Sequence, residues 1–178
     1  VNTTLTTQSS TRTQQFTSPT TAPDTRDALQ IRFGTDRSLP KELREESAGM
    51  NWQLFAATYA PDATLQISYT GFKDINLASS LYFAEITEHS KTEPPRTFNH
   101  EIKASGPASA FSHMLADEGR HIEMLKFHQI ELYEATVTII KVSHQINEKR
   151  TAWAVGFGAT SEASIAHALS SGAQRIYG

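Results

Sequence analysis

A β-prone run, a turn of very small residues and a helical pattern occur twice in this chain, at an offset of roughly 54 residues, and such a duplication leaves few folds open. The first copy runs Phe98-Asn99-His100-Glu101-Ile102-Lys103, then Ala104-Ser105-Gly106-Pro107, then a helical pattern from Ala108 to Glu118. The second runs Ala152-Trp153-Ala154-Val155-Gly156-Phe157, then Gly158-Ala159-Thr160-Ser161, then Glu162 to Arg175. In register, Phe111 matches Ile165, His113 matches His167 and Leu115 matches Leu169. A unit of this kind has an apolar face it cannot bury alone, so the pattern predicts a pseudo-symmetric domain whose halves share one core. Functional residues are then expected at the junctions and between the halves.

The 178 residues suffice for one domain of ordinary size and an appendage. A net charge of -3, with no cluster of Lys and Arg, argues against a phosphate-gripping surface, so no nucleic-acid partner is expected. The absence of Cys removes disulfides, thiol catalysis and thiolate metal sites together. No run approaches the roughly 18 apolar residues of a membrane span, and the N-terminus lacks the layout of a signal peptide. A soluble cytoplasmic protein with no membrane partner is the expectation.

Residues 1–25 are Thr, Ser and Gln with scattered Pro, too poor in large apolar groups to offset the entropy of ordering, and read as a flexible tail. Residues 26–60 read as a small helical linker subdomain with two patterns. Leu39-Pro40-Lys41-Glu42-Leu43 opens one helix with Pro in its first turn, and Trp52, Phe55, Ala56 and Tyr59 space the apolar face of the next before Pro61. Residues 61–178 form the main domain. Leu65, Ile67 and Tyr69 alternate with polar residues, and Leu81 to Thr87 and Arg96 to Ala104 are further strands, broken by Glu93-Pro94-Pro95. A helix with Phe111, Met114 and Leu115 on one face follows, stopped by Gly119. Ile122 to Ile130, Glu134 to Val142 and Thr151 to Phe157 give three more strands, and the closing helix gathers Ile165, Ala168, Leu169 and Ile176. The prediction is an α+β fold, a pseudo-twofold βββα-βββα domain with antiparallel sheets and helices packed on them.

The turns Ser105-Gly106-Pro107 and Gly156-Phe157-Gly158 each place backbone N–H groups at a helix start, where a carboxylate or phosphate can bind. Equally, small residues there let strand and helix pack closely. The second turn lacks the third glycine and the ribose-reading acid of a dinucleotide fingerprint, so no nucleotide cofactor is expected. His113, Glu118, His121 and Glu123 are the densest set of potential metal ligands, but Gly119 breaks the helix between them and no metal is expected. No nucleophile elbow occurs, and no catalytic residue is assigned. Trp52, Phe55, Tyr59, Trp153 and Phe157 read as packing, some of it at an interface, because a thin sheet with helices on one face needs cover on the other.

The run from Ala104 through Gly119, followed by Ile122-Glu123-Met124-Leu125-Lys126-Phe127-His128, resembles the C-terminal regulatory domain of α-isopropylmalate synthase, where a Gly-Asn-Gly-Pro turn opens the first helix. Thr151-Ala152-Trp153-Ala154-Val155-Gly156-Phe157 is similar to that family's "TVWGVGI" strand. Upstream, Ser38-Leu39-Pro40-Lys41-Glu42-Leu43 is similar to its "LSLPRRLQ" segment, and Asn51-Trp52-Gln53-Leu54-Phe55 to its "EMWDAF" helix. Roughly residues 27 to 178 take part in the resemblance.

The resemblance implies an allosteric βββα-βββα domain that dimerises and binds leucine, inhibiting the condensation of acetyl-CoA with 2-oxoisovalerate on a metal-dependent TIM barrel. This chain carries no such barrel, so no activity is expected from it alone. The family's assisting tyrosine corresponds to Leu29, which cannot move a proton. Ser105, Gly106, Ala108, Met124 and Phe127 are the implied effector-binding residues. The family's glycine-rich loop after the fourth strand is shortened to Leu132-Tyr133-Glu134, and Glu131 replaces a small pocket residue. The implied partners are a second copy of the chain, leucine or a related branched-chain amino acid, and a separate synthase subunit. Two further readings are the accessory part of an acyltransferase whose barrel lies elsewhere, and a purely structural dimerisation module.

Overall fold

The computed structural model describes residues 26–133 and 135–178, so the Thr/Ser-rich segment at 1–25 lies outside the described residues. Three short helices come first: α1 (Ala28–Phe33), α2 (Lys41–Glu46) and α3 (Trp52–Tyr59). Then β1 (Leu65–Asn76), β2 (Ser79–Glu88) and β3 (Arg96–Ala104) form antiparallel sheet A, followed by α4 (Pro107–Asp117). Next, β4 (Ile122–Glu131), β5 (Thr136–His144) and β6 (Thr151–Gly158) form antiparallel sheet B, followed by α5 (Ser161–Tyr177). The βββα-βββα order expected from the duplicated pattern is therefore the order observed.

Local chemistry sets these boundaries. Pro107 occupies the first turn of α4, and Gly119, at φ 76°, ends it with paired bonds from Gly119 N to Ala116 O (2.9 Å) and Arg120 N to Leu115 O (2.8 Å). Thr160 caps α5 by accepting from the Ala163 amide. The sequence reading missed α1, whose capping box joins Asp27 and Gln30. It also ended the first strand too early: β1 continues past Tyr69 to Asn76, because the β1–β2 hairpin needs no buried face beyond the bulge between Tyr69 and Gly71.

Two cores result. The shared core joins Ile67, Ala84 and Ile86 of sheet A, Phe111, Met114 and Leu115 of α4, Ile140, Val142 and Ala154 of sheet B, and Ile165, Leu169 and Ile176 of α5. The matched pairs Phe111/Ile165 and Leu115/Leu169 are all buried there, as the repeat requires. The two helices nevertheless differ in length, and α5 reaches across to β1. Ser170 Oγ accepts from the Ile67 amide at 3.0 Å, and Gln174 Oε1 accepts from the Thr64 amide at 2.9 Å, so α5 satisfies donors at the open edge of β1.

The second core lies on the opposite face of sheet B, where Val137, Ile139, Trp153 and Val155 meet Leu29, Leu39, Leu43, Phe55 and Tyr59 of the helical segment. Residues 26–60 thus cover the outer face of sheet B, one of the sheet faces that the sequence analysis expects to need cover. Trp52 stacks on Phe55 with ring centroids 5.7 Å apart and meets Phe157 edge-on at the same separation, which is the packing role expected of these aromatics. Among the described residues no helix is long and apolar enough to cross a membrane.

Candidate ligand-binding site

Ser105 and Gly106 form the β3–α4 turn. Gly106 is the N-cap residue of α4 in an extended conformation (φ -174°), and a side chain built there would meet nothing within 4 Å. Neither conformation nor crowding demands glycine at this position. Close packing belongs to the second turn alone, where a Cβ on Gly156 would lie 2.1 Å from the Ala168 nitrogen and one on Gly158 2.4 Å from the Ser164 nitrogen. The two turns hold corresponding places in the repeat but serve different ends.

Ser105 is exposed and lines a recess of about 510 Å³ with Asp74 to Ser80 of the β1–β2 hairpin. That hairpin already uses much of its polar chemistry internally: Asn76 Oδ1 accepts from the Ala78 amide (2.9 Å), and Asp74 Oδ1 accepts from the Ser80 hydroxyl (2.7 Å). Ala108 and Met124 are half-buried and pack on the shared core. A bulge at Leu125 lets Met124 pair with Val142 and Phe127 with Ile140, so both face α5 despite their odd spacing. Phe127 stays 42% exposed, since neither α4 nor α5 packs extensively on β4. Of the five residues expected to bind an effector, Met124 and Phe127 share a sheet face, whereas Ser105 opens into the hairpin recess instead.

A polar cluster that the sequence reading did not single out sits at the start of α5. Thr138 and Ser164 are fully buried, with their hydroxyl oxygens 2.6 Å apart. Gln129 Nε2 donates to Thr138 Oγ1 at 2.9 Å and to Ser164 Oγ at 3.3 Å, while Gln129 Oε1 accepts from the Ser161 hydroxyl at 3.0 Å. At the matched positions of the first half, Phe72 and Tyr82 are cross-strand partners with stacked rings 5.9 Å apart, and Tyr82 also meets Phe111. The duplicated halves therefore diverge here too, with rings in the first and a hydroxyl–amide network in the second. The visible signal was Thr138, a hydroxyl on the core-facing side of a strand otherwise lined there by Ile140 and Val142.

His113, Glu118, His121 and Glu123 are all exposed, and no group of three or more His, Asp or Glu side chains able to hold a metal occurs among the described residues. His167, the partner of His113 in the repeat, is half-buried with Nδ1 3.1 Å from the Phe157 nitrogen, a structural contact. Burial pushes Tyr59 up to about 12, reinforced by the Glu46 carboxylate that accepts its hydroxyl at 3.1 Å. Burial also raises Tyr69, with Glu162 adding to it. Glu42 of α2 is held below the usual carboxylate range, first by its hydrogen bond from Lys126 and then by that from Lys141 (3.0 Å), which ties α2 to sheet B.

Neither a protein-family model nor a curated protein matches the chain significantly.

Proposed function

We propose that this chain is a non-catalytic regulatory and dimerisation module related to the C-terminal domain of 2-isopropylmalate synthase, and that it responds to a branched-chain amino acid. The observation that carries this reading is the architecture itself. Two βββα halves fuse through one core, with α4 and α5 opening at the same register of the repeat, at Pro107 and Ser161. An arrangement of two related halves around a common core suits a device that senses a small molecule and transmits strain between halves. The similarity of the turn, strand and upstream helix motifs to the synthase family adds the ligand class. The outward face of sheet A, which carries Phe83 between Glu101 and the β1 bulge, is the surface offered for pairing with a second copy.

Calorimetric titration with leucine, isoleucine and valine at millimolar concentration tests the reading. Saturable heat with one of them is expected, and no heat with any reduces the chain to a structural module. Release of CoA from acetyl-CoA and 2-oxoisovalerate by this chain alone would instead make it an enzyme. Sedimentation as a monomer would remove the pairing role.

A further inference from the structure

The outer face of sheet A has neither the composition of a core face nor that of a solvated one. Cross-strand pairing aligns it in rows: Lys73, Leu81 and Lys103 in one, Gly71, Phe83 and Glu101 in the next, and Ser68, Glu85 and Asn99 beyond. At the matching register of sheet B, Val137 and Ile139 of β5 and Phe157 and Val155 of β6 occupy the first two rows and pack against the helical segment. The first half keeps the apolar pair, as Leu81 and Phe83, but carries Lys103 and Glu101 where the second carries Phe157 and Val155.

Leu81 and Phe83 lie two residues apart on the central strand and are half-buried, although α4 and α5 pack on the inner face of sheet A and the helical segment packs on sheet B. An apolar centre within a charged and polar rim is the anatomy of an interface. Lys73, Glu85, Glu101 and Lys103 make no ion pair among the described residues. Their order along the strands is polar in the electrical sense: both lysines flank Leu81, Glu101 is level with Phe83, and Glu85 lies one row further on. A face divided in this way is complemented by the same face turned end for end.

Two kinds of two-fold axis can set this face on a second copy. An axis along the strands lays β1 of one copy over β3 of the other and opposes Lys73 to Lys103, like charge against like. An axis across the strands, passing between the Leu81 and Phe83 rows, sets Leu81 of each copy on Phe83 of the other and Lys103 of each on Glu101 of the other. Stacked sheets lie about 10 Å apart, a gap that Leu with Phe fills and that Lys with Glu spans.

We propose that two copies of this chain pair through the outer faces of sheet A with their strands antiparallel, Leu81 and Phe83 packed across the two-fold axis and Lys103 of each copy bonded to Glu101 of the other. The assignment rests on the pairing reading above and adds to it an orientation and the residues that decide it.

The test is sedimentation equilibrium of the full chain from micromolar to millimolar concentration, with circular dichroism to establish that each variant is folded. Glu101→Lys and Lys103→Glu, both at exposed positions, each oppose like charges twice and are expected to weaken pairing by roughly tenfold or more. Phe83→Ser is expected to weaken it by a similar factor. Mixing the two charge variants places opposite charges at both contacts again, so the mixed pair is expected to form about tenfold more tightly than either variant pairs with itself. The chain carrying both changes is expected to pair as the natural chain does. Pairing that is unchanged in Glu101→Lys and Lys103→Glu, or that neither the mixture nor the double variant restores, overturns this arrangement while leaving the pairing role intact. A natural chain that stays monomeric throughout overturns both.

Discussion

Gly156 of β6 and Ala168 of α5 touch backbone to backbone: a methyl group on Gly156 would lie 2.1 Å from the Ala168 nitrogen and 2.3 Å from the Ser164 carbonyl oxygen. The second half of the domain can lay its long helix on its sheet only because this strand position carries no side chain. In the first half the turn glycine, Gly106, faces open space.

Gly156→Ala should therefore destabilise the domain by about 3 kcal/mol or abolish folding, because the obstructing atoms are backbone and cannot rotate away. Gly106→Ala should stay within about 1 kcal/mol of the natural chain. Equilibrium urea denaturation of the two variants side by side checks the contrast, and equal losses would contradict the packing described.

Thr138→Val removes the hydroxyl that Gln129 and Ser164 share in the buried network. The expected cost is about 1 to 2 kcal/mol, since the buried Ser164 hydroxyl loses a partner. Thr138→Val combined with Ser164→Ala should cost clearly less than the sum of the single changes, as both partners of the lost contact are then gone. A double-mutant cycle by denaturation measures this.

Glu42 links α2 to Lys126 and Lys141, and its folded-state pKa lies below the ordinary value of 4.5. A depressed carboxylate contributes stability that is present above its unfolded value and lost as pH falls through the folded value. Denaturation midpoints of the natural chain and Glu42→Gln should differ at neutral pH and low salt, and converge in acid and at high salt. A difference that persists in acid would assign the effect to packing.

Tyr59 behaves in the opposite sense. Its pKa is raised from 10.0 to about 12, by burial first and Glu46 second, so the stability tied to its neutral form is complete below 10.0 and is lost between there and about 12. Ultraviolet titration should show a late tyrosine ionisation near pH 12, and Tyr59→Phe should remove it. A single step for all tyrosines would contradict the buried position of Tyr59.

Much of this architecture was legible because periodicity reports burial. Alternation found the strands, the matched apolar positions at Phe111/Ile165 and Leu115/Leu169 located the shared core, and Gly119 marked its helix end. The reading lost β1 beyond Tyr69, where Phe72 and Lys73 to Asn76 are exposed and pattern carries no information. It lost α1 because a six-residue helix held by a capping box has too short an apolar face to register. The effector residues came from family similarity instead of from burial, and the bulge at Leu125 and the hairpin beside Ser105 are tertiary features that no local spacing encodes.

The proposal that this paired-half domain senses a branched-chain amino acid is tested most directly by the thermal unfolding midpoint of the full chain as leucine is raised into the millimolar range. A ligand held by the folded state alone must raise that midpoint steadily once its concentration exceeds the dissociation constant. The account predicts such a rise with leucine and none with glycine. A midpoint that stays flat with leucine, isoleucine and valine alike would contradict it.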